Sequence, residues 1–226
     1  MSKPTLEELI DQLDSDEPEL RPRARSALLE AGSQATPLLI GALNYEQKRK
    51  SEPRFLGRLE RETREEIELA ANVPADAALL LGEIGDRRAV EPLMAKLRGL
   101  QEAGVRAERA WLDKQARWAC VRALRTIGDQ AALPVLVEVL GSDDEDETVV
   151  RADAASALGE MRASGAIPIL LDRLANDPSP LVRKSVANTL GELDHEELAP
   201  QLLRALVNDE DEVVRAAAGE SLARLT

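Results

Sequence analysis

Apolar residues along most of the chain recur at three- and four-residue spacing. Between 150 and 161 they fall at Val150, Ala154, Ala157, Leu158 and Met161, and between 167 and 174 at Ile167, Leu170, Leu171 and Leu174. Each set marks one face of a 3.6-residue helix. A proline stands near the start of the second pattern of each pair: Pro37, Pro92, Pro134, Pro168 and Pro200. The first turn of a helix accepts it there, because the missing N–H has no intrahelical acceptor to lose. Acidic residues precede the first pattern, at Asp16-Glu17, Asp146-Glu147, Asp177 and Asp211-Glu212. Negative charge at that point complements the helix dipole.

The pair of patterns repeats. V-R-A-D-A-A-S-A-L-G at 150–159 and A-I-P-I-L-L-D-R-L at 166–174 return 32 residues later as V-R-K-S-V-A-N-T-L-G and L-A-P-Q-L-L-R-A-L. The first half returns again from Val214 to Leu222. Towards the N-terminus, Ala116-Arg117 to Leu124 with Pro134 and Leu140 match at an offset of 34, and V-P-A-D-A-A-L-L-L-G at 73–82 matches at 77. Leu20-Arg21 to Leu28, with Pro37 and Leu43, is the most N-terminal copy. The pattern predicts five helix pairs, preceded by a lone second helix over Leu6–Leu13 and followed by a lone first helix over Val214–Leu225. Neither helix of a pair can bury its apolar face alone, so the copies must stack.

The pattern V-R-x-x-A-A-x-A-L-G followed by A-I-P-x-L-L-x-x-L resembles the HEAT repeat, in the short-loop form of phycobilisome (PBS) lyase subunits. The W-x-x-L-G-x-x-Y and T-P-L-H patterns of tetratricopeptide and ankyrin repeats do not occur. The resemblance implies an all-α fold: a right-handed superhelical solenoid of about five helix pairs with single flanking helices. First helices would form the outer face and second helices would line a concave face. Ile169, Arg173, Val135, Val139, Gln201, Lys96 and Ala42 are expected on the solvent side of the second helices. The resemblance also implies that Arg21, Arg117, Arg151, Arg183 and Arg215 form a structural ladder with acids near the inter-repeat turns. Pro74 takes the place of the arginine in the second copy, so the ladder should break there. The usual role in the family is protein binding.

Composition narrows the function classes. The 226 residues include four aromatics, Tyr45, Phe55, Trp111 and Trp118. A core with so few rings favours helices of Leu, Ala, Val and Ile over a β-sandwich. A net charge of −13 argues against nucleic acid and anionic membrane as partners. One cysteine, Cys120, excludes an internal disulfide framework, and one histidine, His195, leaves little for a His/Cys metal site. No run of 18 apolar residues and no apolar leader stands in the sequence, so a cytoplasmic monomer without cofactor is expected.

The chain is expected to be one solenoid over 1–226, with insertions at about 45–72 and 98–115. The last leucine of one copy and the next Val-Arg lie eight residues apart at Leu174 to Val182, but 30 at Leu43 to Val73 and 19 at Leu97 to Ala116. Both insertions fall at the same inter-repeat edge, where insertions often form a binding face. The larger carries seven basic and seven acidic residues with the signs segregated, and a helical stripe of Leu56, Leu59, Thr63, Ile67 and Ala70. Aromatic and arginine residues dominate interface hot spots. Tyr45, Lys48, Arg49, Arg54, Phe55, Arg58, Arg106, Arg109, Trp111 and Trp118 are therefore the candidate partner-binding residues. The alternative is that the aromatic residues only pack a longer helix and the core.

Charge is asymmetric as well. Residues 121–226 hold 10 basic and 20 acidic side chains, whereas 1–120 hold 19 and 22. The run 143–147 and Asp209–Glu212 sit on the inter-repeat edge, as helix-terminal acids or as a rim for a basic partner. Enzyme readings are weaker. Deoxyhypusine hydroxylases share the architecture but use several His-Glu pairs to hold two irons, and His195-Glu196 is one pair. HEAT-like DNA glycosylases use Trp and Asp in a basic groove, but Trp111 and Asp113 point to diverging helix faces. Cys120 occupies a small-residue core position. The sequence points to a non-enzymatic scaffold or adaptor that binds another protein. The other open reading is a subunit of a bilin-lyase-like or chaperone-like complex acting on a tetrapyrrole protein.

Overall fold

The computed structural model describes residues 4–15, 17, 19–45, 72–102, 110–143 and 147–225; the side chains of residues 101, 102, 110 and 111 lie outside that description. Twelve α-helices follow one another there: α1 (Leu6–Leu13), α2 (Leu20–Ala31), α3 (Thr36–Ala42), α4 (Val73–Ile84), α5 (Val90–Glu102), α6 (Ala110–Ile127), α7 (Leu133–Leu140), α8 (Thr148–Glu160), α9 (Ile167–Asn176), α10 (Pro180–Glu192), α11 (Ala199–Asn208) and α12 (Glu212–Leu225). No strand occurs among the described residues. Each first helix reaches its second helix through one 3-10 turn, at Gly32–Gln34, Arg87–Ala89, Gln130–Ala132, Ser164–Ala166 and Glu196–Leu198. The five pairs, the leading second helix α1 and the trailing first helix α12 agree with the repeat pattern.

The even-numbered first helices form one layer and the odd-numbered second helices the other. First helices make the tightest contacts, α4 on α6, α8 on α10 and α10 on α12. Small residues make this possible. A Cβ built on Gly82 would lie 2.7 Å from the Ala123 Cα, and one on Gly191 would lie 2.6 Å from the Ser221 Cβ. Hydrogen bonds join the same layer: the Ser185 hydroxyl donates to the Ala152 carbonyl at 2.7 Å, and the Thr189 hydroxyl to that of Ala155 at 2.9 Å. The second helices supply the leucines, and Leu93, Leu97, Leu136, Leu140, Leu170 and Leu202 are all buried in one continuous core.

Local chemistry sets the helix ends. Thr5 and Glu8 form a capping box on α1, and the Asn72 side chain caps α4 by accepting from the Ala75 amide. First helices end on a residue with positive φ. Gly85 and Gly128 serve at +72° and +67°, whereas Arg162 and Asp194 fill the same place in the last two pairs at +50° and +56°.

One expectation needs correction. Val135, Val139 and Ala42 do not face solvent but are buried. Arg173 is mostly buried too, donating to the Gly141 carbonyl at 2.6 Å and pairing with Asp143 at 3.0 Å. The cause is side-by-side packing of second helices, in which α9 closes over the end of α7. Ile169, Lys96 and Gln201 are half-exposed. Of the second insertion, residues 98–102 continue α5 and 110–115 begin α6.

Candidate partner-binding surface

Trp118 is the candidate aromatic whose surroundings are best defined. It lies on α6, half-buried, with the Arg122 guanidinium 5.1 Å from its ring centroid. The two residues are four apart, hence on one helix face. Beside them lies an open cavity of about 280 Å³, lined also by Leu79 and Glu83 of α4 and by Ala123 and Thr126 of α6. The close approach of Gly82 to Ala123 draws α4 and α6 together at that point. Glu83 is itself held by Arg25 at 3.2 Å. The result is an aromatic face under a cation, with a carboxylate across a shallow cleft. Such a site can accept an apolar side chain and a flanking charge from a partner.

Tyr45 does not join this site. It follows α3 and packs towards α1, where its hydroxyl lies 3.5 Å from an Asp11 carboxylate oxygen. Burial, and then the negative charge of Asp14 and Asp11, push its hydroxyl above the ordinary tyrosine value. Trp111 belongs to the first turn of α6, and its side chain lies outside the described residues. Lys48, Arg49, Arg54, Phe55, Arg58, Arg106 and Arg109 lie outside them as well, as does the stripe from Leu56 to Ala70. The sequence reading missed Arg122, Leu79 and Glu83. The four-residue spacing of Trp118 and Arg122 was a signal for the first, but the other two come from a helix 35–40 residues away in sequence.

The arginine ladder is structural. Arg151 pairs with Asp177 at 3.1 Å, Arg183 with Asp209 at 2.9 Å, and Arg117 with Glu147. Arg215 donates to the carbonyls of Asp209 and Glu210 at 2.8 and 2.9 Å. Arg21 instead reaches Asp76 in the first turn of α4, where Arg25 also binds. At Pro74 the arginine is absent, and Asn72 takes over the link to the next pair. Its amide donates to the Leu112 carbonyl at 2.9 Å and to the Gln115 side chain at 3.0 Å.

The other chemical candidates are built into the scaffold. Cys120 is buried, and burial pushes its thiol up to about 12, which leaves it protonated and unreactive at neutral pH. His195 hydrogen-bonds the Ser164 hydroxyl at 3.0 Å between neighbouring turns. Among the described residues no group of three His, Cys, Asp or Glu could hold a metal ion. No described helix is long and apolar enough to cross a membrane.

A stack of helix pairs joined by a repeated arginine ladder defines an α-solenoid repeat protein. Family models match along it: HEAT repeats over residues 145–223, and the PBS lyase HEAT-like repeat over 73–99 and 116–142. The chain belongs to the HEAT-repeat family. Among solved structures it is similar to a chain in the complex of CpcE and CpcF of phycocyanin lyase from Nostoc sp. PCC7120. Identity there is 22% and the TM-score 0.54, covering 96% of this chain and 76% of that one. An engineered protein is similar at 19% identity and a TM-score of 0.50, with 99% of both chains covered. No curated protein sequence matches significantly.

Proposed function

We propose that this chain is a non-enzymatic scaffold that binds another protein, with the α4–α6 cleft as one contact. The observation that carries this reading is half-exposed Trp118 under Arg122 beside an open cavity. Trp and Arg are the residue types that most often anchor interfaces. Both sit on α6, so their backbone is already ordered before a partner binds, which lowers the cost of binding. The basic and aromatic residues of the insertions, Lys48 to Arg58 and Arg106 to Trp111, would extend the contact. The test is affinity capture from native lysate with mass spectrometry, comparing the full chain with Trp118→Ala/Arg122→Ala. Loss of captured proteins at unchanged helicity supports the cleft, and identical capture removes it as a contact.

A second reading is a subunit of a complex that acts on a tetrapyrrole protein. The likeness to the CpcE–CpcF complex of phycocyanin lyase favours it. Mixing the chain with a bilin and an apo-phycobiliprotein separates the readings. A new absorbance band that persists in denaturant would support a lyase partner, and unchanged spectra would leave the scaffold reading alone.

A further inference from the structure

Three inter-repeat connections end in the same way. Val149, Leu181 and Val213 stand in the first turns of α8, α10 and α12, and they are 50%, 45% and 53% exposed. Each lies two residues before a ladder arginine, Arg151, Arg183 or Arg215. The equivalent places in the first three pairs hold Glu19, Asn72 and Gln115. The apolar series is therefore confined to three consecutive first helices, which stack directly on one another. One exposed apolar side chain calls for no explanation, but three in register on adjacent helices make a row.

Carboxylates border this row. Among the described residues, 141–143, 147–149, 175–181 and 207–213 contain seven Asp and Glu and no Lys or Arg. Asp177 and Asp209 are taken up by Arg151 and Arg183 beneath the surface. Asp143 and Glu210 each meet an arginine of the scaffold, Arg173 at 3.0 Å and Arg183 at 3.3 Å, but their side chains stay 90% and 85% exposed and open to a second cation, and Glu212 is exposed beside Val213. Lys184, three residues after Leu181, is half-buried.

We infer that this edge docks an extended basic segment of a partner protein, with an apolar residue at every third position. Packed helices lie about 8–10 Å apart, which sets the spacing of the row. A polyproline-II strand rises about 3.1 Å per residue and repeats its facing side chain every third residue, about 9 Å on. Three apolar side chains of such a segment meet Val149, Leu181 and Val213 in register. The lysines or arginines between them meet Asp143, Glu210 and Glu212. The negative edge disfavours nucleic acid and anionic membrane. This inference goes beyond the Trp118 contact and does not depend on it, since the row begins on α8.

The test uses the full chain and a fluorescein-labelled decapeptide with leucine at every third position and lysine or arginine elsewhere. Binding is read by fluorescence anisotropy. Saturable binding is expected, weakened by about tenfold or more in Val149→Ser/Leu181→Ser/Val213→Ser. A peptide of equal composition with leucine at alternate positions should bind more weakly, and Glu210→Gln/Glu212→Gln should lower both affinity and its salt dependence. The substituted residues are exposed, so each variant should keep the parent helicity and unfold cooperatively; the serine variant should keep the parent urea midpoint, and the glutamine variant should lose only the small contribution of the Arg183–Glu210 pair and of Glu212 at the start of α12. Absence of binding overturns the inference, as does equal affinity for the parent and the serine variant. Self-association of the free chain that the serine variant abolishes overturns it too, because the row would then belong to a second copy.

Discussion

Arg151 of α8 and Asp177, which follows α9, form an ion pair out of reach of water. The guanidinium Nε lies 3.1 Å from Oδ2 and Nη2 lies 3.3 Å from Oδ1, with side chains 2% and 0% exposed. Asp177 also accepts the Ser179 amide at 2.9 Å, so one carboxylate holds both the arginine and the turn into α10. Removing one partner strands the other charge in a dry site. Arg151→Ala should therefore destabilise the fold by about 3–5 kcal/mol. Arg151→Lys should recover only part of this, because an ammonium cannot match the two-pronged geometry. Urea denaturation followed by circular dichroism checks both, and a loss for Arg151→Ala no greater than that of a surface substitution would refute the buried-pair account.

The next rung predicts acid sensitivity. Burial pushes the Asp209 carboxyl up, but the hydrogen bond from Arg183, that from the Asp211 amide and the charges of Arg183 and Arg215 together outweigh it. Asp209 is left below the ordinary aspartate value. A carboxyl depressed by folding stabilises the fold at pH above its unfolded value of about 3.9, and that contribution fades as pH falls through the lower folded value. The urea midpoint should fall between pH 5 and pH 3. Asp209→Asn should lower the midpoint at pH 7 and flatten that fall, because the group that titrates is gone. A pH profile parallel to that of the parent chain would show that Asp209 does not drive the acid loss.

Much of this fold was legible because each rule was stated several times along the chain. The helix pairs, their prolines and the lone helices α1 and α12 followed from period and spacing, and the arginine ladder with its break at Pro74 from the resemblance to the HEAT repeat. Burial at second-helix edges did not, because Val135, Val139 and Ala42 look like outward positions until the neighbouring helix is placed beside them. The Trp118 cleft was half legible. Trp118 was a candidate, yet Leu79 and Glu83 reach it only through the approach of α4 to α6. Tyr45 was grouped with Trp118 by residue type, and chain geometry sends it to α1 instead. The arginines of the insertions were singled out by composition, and their places lie outside the described residues.

Helix termini give a third test. Arg162 and Asp194 hold φ of +50° and +56° where earlier pairs use Gly85 and Gly128. A side chain in the left-handed region costs about 1–2 kcal/mol, less for aspartate, whose short side chain tolerates it. Arg162→Gly should therefore raise stability by about 0.5–1 kcal/mol after the entropy of the unfolded glycine is set against it, and Asp194→Gly by less. Gly85→Ala should lower it by about 1 kcal/mol. Thermal melts rank the three variants, and a destabilised Arg162→Gly would mean that the Arg162 side chain contributes more than its backbone costs.

The packing of first helices predicts opposite signs for one chemical change. Alanine is favoured over glycine within a helix by about 1 kcal/mol. Gly99 in α5 has no atom within 4 Å of where a Cβ would stand, so Gly99→Ala should be stabilising. Gly82 and Gly191 stand in helices too, but their Cβ atoms would lie 2.7 Å from the Ala123 Cα and 2.9 Å from the Ser221 Cα. Backbone cannot swing aside as a long side chain can, so a neighbouring helix must move. Forced packing of this kind costs about 1–3 kcal/mol, which exceeds the propensity gain. Gly82→Ala and Gly191→Ala should lower the urea midpoint while Gly99→Ala raises it. Gly82→Ala should also disturb the cleft, because α4 and α6 would separate beside Trp118. Trp118 fluorescence, measured with Trp111 replaced by Phe in every variant, reads this. An altered emission in Gly82→Ala, against an unaltered one in Gly191→Ala, would tie the tight α4–α6 contact to the shape of the cleft.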